Sequence, residues 1–263
     1  QTLRKGWTTG ACAAAATKAA WVALLTGNFP NPVKIRLPRN VTPSFHLKTQ
    51  EIGKGWARAG IIKDAGDDPD VTHGAEIISH VEVGEAGQNL KFYAGDGVGI
   101  VTLPGLPLDV GEPAINPGPR KIITENLKSV AREFCVDPDL NIKIEIPGGE
   151  ELALKTMNAR LGIKGGLSVL GTTGVVIPYS CASWIHSIHR GIDVALATGV
   201  THLAAATGST SEGYLKSKFN LPEQAYIDMG DFAGGLLKHL AKNPVQRLTL
   251  AGGFGKLSKL GNG

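Results

Sequence analysis

The sequence predicts an N-terminal α+β domain over residues 1–149, followed by a Rossmann-like α/β domain over 150–263 with a mainly parallel sheet. Two observations carry the second half. Four short apolar runs, Leu167–Leu170, Leu203–Ala206, Ala225–Met229 and Arg247–Ala251, each end in a turn of small or polar residues. Those turns are GTTG (171–174), TGSTSE (207–212), GDF (230–232) and GGFGK (252–256), and apolar residues return at helical spacing after the first three, with KLSKL opening another such stretch after the fourth. That alternation is the βα pattern of a parallel sheet covered on both faces. A third observation carries the first half, where segments of period-two alternation dominate and only two long helical stretches occur.

Taken in order, an Ala-rich helix opens the chain at about Cys12–Leu25, and Lys18 interrupts its apolar run. Strands are expected at Val33–Leu37, Phe45–Gln50, Trp56–Ile62, Glu76–Val83 and Gly97–Thr102, separated by turns such as AGDDPD and GEAGQN. Pro104–Pro119 is too rich in Pro and Gly for regular structure. A helix is expected at Arg120–Phe134, with Pro119 suited to its first turn, where a missing N–H costs nothing. Asn141–Ile146 reads as a strand ended by PGG (147–149), which puts the domain boundary near Pro147–Glu151 and leaves Thr156–Gly166 open to either side.

Right-handed crossovers place the four turns of the second half along one sheet edge, and open parallel sheets bind ligands beyond the carboxyl ends of their strands. The pattern therefore locates a small-molecule cleft before it identifies the ligand. TGSTSE is the strongest ligand loop: Gly208 allows a tight bend, and Ser209, Thr210 and Ser211 offer hydroxyls and N–H groups at a helix start. Ser or Thr followed by Glu212 is also a capping box, which explains the hydroxyls of one turn but not of its siblings.

Composition bounds the answer. The chain has 263 residues and 42% hydrophobic content, enough for a substantial core. No stretch approaches the roughly 20 apolar residues of a membrane span, and no secretory leader is visible, although Gln1 is not the expected starting Met. Cys12, Cys135 and Cys181 are odd in number and far apart, so a reducing cytoplasm is the expected compartment. Net charge is +4 with Lys and Arg dispersed, which points away from nucleic acid.

Other motifs lead away from familiar chemistry. GGFGK offers an anion its N–H groups and Lys256, but it is no P-loop, because the upstream glycine is absent and Leu257 stands at the Ser/Thr position. GDGVG (95–99) precedes IVTLPG, which cannot be the helix that a dinucleotide fingerprint needs. Cys181, His186 and His189 lack the spacing and a fourth ligand for a metal site, and Asp64, Asp67, Asp68 and Asp70 read as turn chemistry. No protein-bound metal is expected. No GxSxG elbow is present, so the chemistry is expected to need no enzymic nucleophile.

Six segments then resemble one family in the same order along nearly the whole chain. They are GWTTGACAAAATKAA (6–20), IKDAGDDPDVTHGAEI (62–77), GVGIVTLPGLPLDVGEPAINPGPRK (97–121), RLGIKGGLSVLGTTG (160–174), ATGSTSE (206–212) and LAGGFGKLSKL (250–260). Together they are similar to CbiD, the cobalt-precorrin-5B C-1-methyltransferase family of corrin-ring assembly. PYSCASWIHSIHRGIDVA (178–195) resembles a proteobacterial branch of that family. Two departures stand out. Family members continue well beyond the GGFGK loop, whereas this sequence stops at Gly263, and Ala159 stands where the family has proline.

The resemblance implies methyl transfer from S-adenosylmethionine to C-1 of an anionic cobalt-tetrapyrrole. An activated sulfonium methyl needs alignment more than a nucleophile. From the strand topology, the donor is expected at Gly171, Thr172, Thr173, Thr207, Gly208, Ser209, Thr210, Gly252 and Gly253, with Asp228 or Asp231 on the ribose hydroxyls. For the carboxylate-rich substrate, the candidates are Thr8, Thr9, Arg120, Lys121, Arg160 and Lys256, placed in a cleft between the two domains. Thr8 or Thr9 acting as a plain helix cap is the competing reading. A homo-oligomer is left open as a partner state, and neither its size nor a catalytic proton acceptor is legible. The competing functions are a nicotinamide-dependent reductase, against which the missing fingerprint counts, and a non-enzymatic corrinoid-binding module.

Overall fold

The computed structural model describes residues 3–262 and has a mixed α/β architecture; Gln1 and Gly263 lie outside the described residues. Two compact units form. The first comprises the chain up to Thr102, Val110–Ala159 and Ile163–Tyr179, and the second comprises Leu103–Asp109, Arg160–Gly162 and the chain from Ser180. Most of 150–179 therefore packs with the first unit and not with a domain beginning at 150.

In the first unit the chain runs β1 (Gly6–Trp7), α1 (Thr9–Thr26), β2 (Val33–Lys34), β3 (Ser44–Phe45), β4 (Thr49–Gly53), β5 (Trp56–Ile62), β6 (Glu76–Val83), β7 (Leu90–Ala94), β8 (Ile100–Val101), α2 (Pro117–Phe134), β9 (Leu140–Glu145), α3 (Gly149–Ala153), β10 (Ile163–Lys164) and β11 (Val175–Val176). Five of these strands make the main sheet, in the order β4-β5-β6-β9-β7, antiparallel except for the β7–β9 pair. Ala57, Ala59 and Ile61 of β5, Ile77 and Val81 of β6, and Ile142 and Ile144 of β9 share one core with α1 and α2. Helix α1 is buried on nearly every side, from Thr9 through Ala23, as expected of a helix that is apolar all round. Its alanines leave room for the sheet and α2 to approach closely. Thr17 is its one fully buried hydroxyl, and it is satisfied by Ala13 O at 2.7 Å and the Ser79 hydroxyl at 2.8 Å.

The second unit runs α4 (Cys181–Ala197), β12 (His202–Ala206), α5 (Ser209–Lys218), β13 (Tyr226–Asp228), α6 (Ala233–Leu240), β14 (Arg247–Ala251) and α7 (Phe254–Gly261). Its sheet is parallel, in the order β13-β12-β14. Ile188 and Ile192 of α4 and Leu236 and Leu240 of α6 pack with Leu203, Ala205 and Ile227, whereas Leu215 of α5 packs with Ala204, Ala206 and Tyr226. Alternate strand residues thus feed opposite faces, as a sheet covered on both sides requires.

The parallel sheet holds three of the four apolar runs. Leu167–Leu170 is not among its strands. Leu167 bridges Val98 and Val169 bridges Ile115, both within the first unit, and both side chains are buried in that unit's core. An apolar run of four residues fits a buried extended segment beside any sheet, so its length and hydrophobicity did not specify a partner.

Candidate functional site

Registers Ala206↔Asp228 and Ala206↔Ala251 align the three strand ends, so the turns after β12, β13 and β14 leave the sheet on one edge. Thr207 N donates to Ala251 O at 3.0 Å, which ties the first and last of these turns together. Glycine at 252 is required by this approach, because a Cβ there would lie 2.8 Å from Thr207 Cγ2. Lys256, in the first turn of α7, reaches back to donate to Thr207 O at 3.1 Å and pairs with Asp231 Oδ1 at 3.1 Å. One side chain therefore touches the turns after β12 and β13 while belonging to the turn after β14.

A cleft of about 520 Å³ opens at this edge, lined by Thr207 to Ser211, Gly253, Gly255, Lys256 and Lys259. Its volume is in the range of small-molecule sites. The starts of α5 and α7 both contribute to it, so partial positive charge from two sets of helical N–H groups adds to two lysines. The lining carries three hydroxyls besides Thr207 Oγ1 and no histidine or cysteine. Beside it, Asp228 is half-buried and accepts from Gly230 N at 3.3 Å, and Asp231 is exposed.

The expected donor residues divide accordingly. Thr207, Gly208, Ser209, Thr210, Gly252, Gly253, Asp228 and Asp231 belong to the strand-end turns of the second unit. Gly171, Thr172 and Thr173 do not. That turn lies in the first unit against the start of α1, where Gly10 N donates to Leu170 O at 2.9 Å and Thr8 N donates to Gly174 O at 3.0 Å. The correction follows directly from the placement of Leu167–Leu170.

Among the expected substrate residues, several have local work. Thr8 is the N-cap of α1 and accepts from Ala11 N at 3.2 Å, and Thr9 is buried. Arg120 donates to Ile115 O at 2.7 Å, Glu112 Oε2 at 2.7 Å and Pro113 O at 3.3 Å, and its guanidinium lies 5.2 Å from the Phe92 ring centre. Arg160 forms a two-pronged pair with Glu212 and also reaches Tyr226 O at 3.4 Å and Glu223 at 3.6 Å. Burial pushes the Glu212 carboxyl up, but the hydrogen bond and charge of Arg160, with Lys216, outweigh it and hold the net shift downward. Both arginines are thus occupied by carboxylates and carbonyls of their own unit, because a planar guanidinium is matched as well by a neighbouring Glu as by a ligand's carboxylate. Lys121 is exposed on α2, and Lys256 lines the cleft.

The acidic turn 64–70 is structural. Arg4 forks onto Asp64, Asp67 accepts from Arg4 N at 2.6 Å, Asp68 accepts from Tyr179 N at 2.9 Å, and Asp70 pairs with buried Lys63. His189 stacks on His239 at 4.2 Å and contacts Gly235 O at 3.1 Å. Among the described residues no group of three or more His, Cys, Asp and Glu is placed to hold a metal ion.

Two features of the site escaped the sequence reading. Lys259 stands three residues after Lys256 in KLSKL, a spacing that puts both on one helix face. Trp184 and Phe232 form an aromatic pair at 6.3 Å beside the turn after β13, and no spacing distinguishes such a pair from core aromatics.

Three parallel strand ends meet at one hydroxyl-lined cleft that carries two lysines, within an α/β architecture. The chain belongs to the CbiD family, whose model matches residues 1–178. It is 61% identical over its whole length to a protein of Paramagnetospirillum magneticum named cobalt-precorrin-5B C(1)-methyltransferase, covering 74% of that protein. It is 60% identical over its whole length to the Agrobacterium fabrum protein of the same name, covering 69% of it. A crystal structure of the cobalamin biosynthesis protein CbiD from Archaeoglobus fulgidus matches 98% of this chain and 79% of that one, with a TM-score of 0.51 at 33% identity. The family match ends one residue short of Tyr179, the last residue of the first unit.

Proposed function

We propose that this protein methylates C-1 of cobalt-precorrin-5B with S-adenosylmethionine as donor, in cobalamin ring assembly. The observation that carries the reading is identity of about 60%, over the whole chain, to relatives named for that reaction. The second unit reads as a reduced Rossmann-like domain: three parallel strands, helices on both faces, and a cleft where such sheets bind ligands.

The chemistry asks for what the cleft offers. The substrate carbon supplies an electron pair to the donor's methyl carbon, the carbon–sulfur bond breaks, and S-adenosylhomocysteine departs with the pair on sulfur. No enzymic nucleophile is consumed. The protein's task is to hold two molecules in line at about 3–3.5 Å and to exclude water. The N–H groups and hydroxyls at Ser209, Thr210 and Ser211, with Lys256 and Lys259, suit the donor's carboxylate, and Asp228 and Asp231 suit ribose hydroxyls. Lys121 is the expected basic residue on the first unit that remains exposed for an acidic macrocycle.

The test is incubation of the protein with S-adenosylmethionine and cobalt-precorrin-5B, followed by mass spectrometry. The expected product is heavier by one methyl group, with stoichiometric S-adenosylhomocysteine. A product of unchanged mass beside an active control enzyme would sink the proposal. Methyl-donor consumption also separates this reaction from nicotinamide-dependent reduction and from simple corrinoid carriage.

A further inference from the structure

The turn after β13 carries an aromatic surface that the proposed reaction has not yet used. Trp184 sits in the first turn of α4, and its side chain is 48% exposed although it is the largest apolar group at this edge. Its indole packs over Gly230, where a Cβ would lie 3.4 Å from Nε1, and its ring is 6.3 Å from that of Phe232, which follows Asp231. Gly230 has φ +52°, so the turn both requires glycine and leaves the indole's approach unobstructed.

The same turn holds Asp228 and Asp231, and Asp231 is linked to Lys256 of the strand-end cleft. Exposed indole, half-buried carboxylate, exposed carboxylate and basic cleft therefore follow one another along a single edge of the parallel sheet. An adenosyl donor has matching parts in the same order: a flat neutral base, a diol, and an amino acid with its carboxylate. A capping or core role explains neither the half-exposed indole nor its neighbours, since α4 is already capped by the Ser180 side chain and the core of this unit closes around Ile188 and Ile192.

We propose that Trp184, backed by Phe232, is the stacking platform for the adenine ring of the methyl donor. The inference rests on the reading of this edge as the donor site, and it orients the donor along it: adenine over the turn after β13, methionine carboxylate toward Lys256 and Lys259. Aromatic stacking on a base is sequence-tolerant but strong, and loss of such a platform costs roughly ten- to a hundredfold in affinity.

The test is titration of the full chain with S-adenosylhomocysteine and, separately, with adenosine, by calorimetry and by tryptophan fluorescence. Trp184→Ala is expected to weaken both ligands by roughly tenfold or more, whereas Trp184→Phe, which keeps a ring, is expected to stay within about threefold of the native protein. Trp184→Phe also removes one emitter, so ligand-induced quenching seen in the native protein is expected to fall in this variant while binding persists. This second reading holds even if the alanine variant folds poorly. Native affinity in Trp184→Ala, or undiminished quenching in Trp184→Phe, overturns the stacking role and leaves the donor site standing. Failure of the native protein to bind either ligand overturns the donor site and the stacking role together.

Discussion

Asp70→Ala is expected to lower the unfolding free energy of the first unit by about 3–5 kcal/mol, the range for stripping a buried charge of its partner. Lys63 is only 2% exposed, and its ammonium is held by Asp70 and the Thr72 hydroxyl. Asp70 in turn accepts from Thr72 N at 2.8 Å and Thr72 Oγ1 at 2.6 Å. Removing the carboxylate leaves the ammonium with a hydroxyl oxygen that cannot neutralise it. Replacing both partners, Lys63→Met with Asp70→Leu, is expected to recover most of the loss, since apolar groups of similar size substitute well for a buried pair. Burial pushes the Asp70 carboxyl up, and the charge of Lys63 with the Lys63 and Thr72 hydrogen bonds overcomes this, so its net shift is downward. Such a group contributes stability that is present above the unfolded aspartate value of about 3.9 and lost as pH falls through its lower folded value. The native protein is therefore expected to lose this increment in acid, and Asp70→Ala to show a flatter stability profile there. Denaturant unfolding at neutral and acid pH measures both. A loss under about 1 kcal/mol at neutral pH would show the pair to be better hydrated than its burial indicates.

This pair shows what the sequence made legible and what it hid. AGDDPDVT announced a turn through its Asp, Gly and Pro, and the turn is there. Nothing in the spacing revealed that Lys63 beside it would be buried, because an isolated Lys after an apolar strand looks like the strand's solvated end. Strands β5 and β6 were legible to the residue, since their alternation is long and bounded by turn residues. β7 was missed: Leu90, Phe92 and Ala94 alternate over only five residues between two glycine-rich turns. Helix α2 begins at Pro117, three residues earlier than expected, because Pro117 and Pro119 both sit in the first turn, where proline is tolerated. The strand-end cleft was legible through topology alone, because parallel order fixes which turns share an edge. What failed was attribution of a four-residue apolar run, and with it Gly171, Thr172 and Thr173, since burial without periodicity names no partner.

Arg160, expected on the substrate's rim, is paired in the structure with Glu212 of its own unit. Its guanidinium binds both oxygens of Glu212, in the first turn of α5, directly after the Ser209–Ser211 hydroxyls that line the cleft. The two side chains are 20% and 17% exposed, so the pair is largely sheltered and worth more than a surface bridge. Arg160→Ala is expected to destabilise the second unit by about 2 kcal/mol, because Glu212 is left partly buried without its main partner. It is also expected to weaken S-adenosylhomocysteine binding by roughly tenfold, since a displacement of about 1 Å at a positioned loop is felt strongly by its ligand. Arg160→Lys keeps the charge but loses the fork, and is expected to fall between the two. If the residue acts through Glu212, a double-mutant cycle with Glu212→Ala will show that the second substitution adds little to the first, with a coupling of about 1–3 kcal/mol. Binding of a corrinoid substrate measured on the same variants supplies the contrast. Unchanged donor binding with lost corrinoid binding, and independent effects in the cycle, would return Arg160 to the macrocycle's rim. Parallel loss through Glu212 would make it the residue that holds the donor loop in shape.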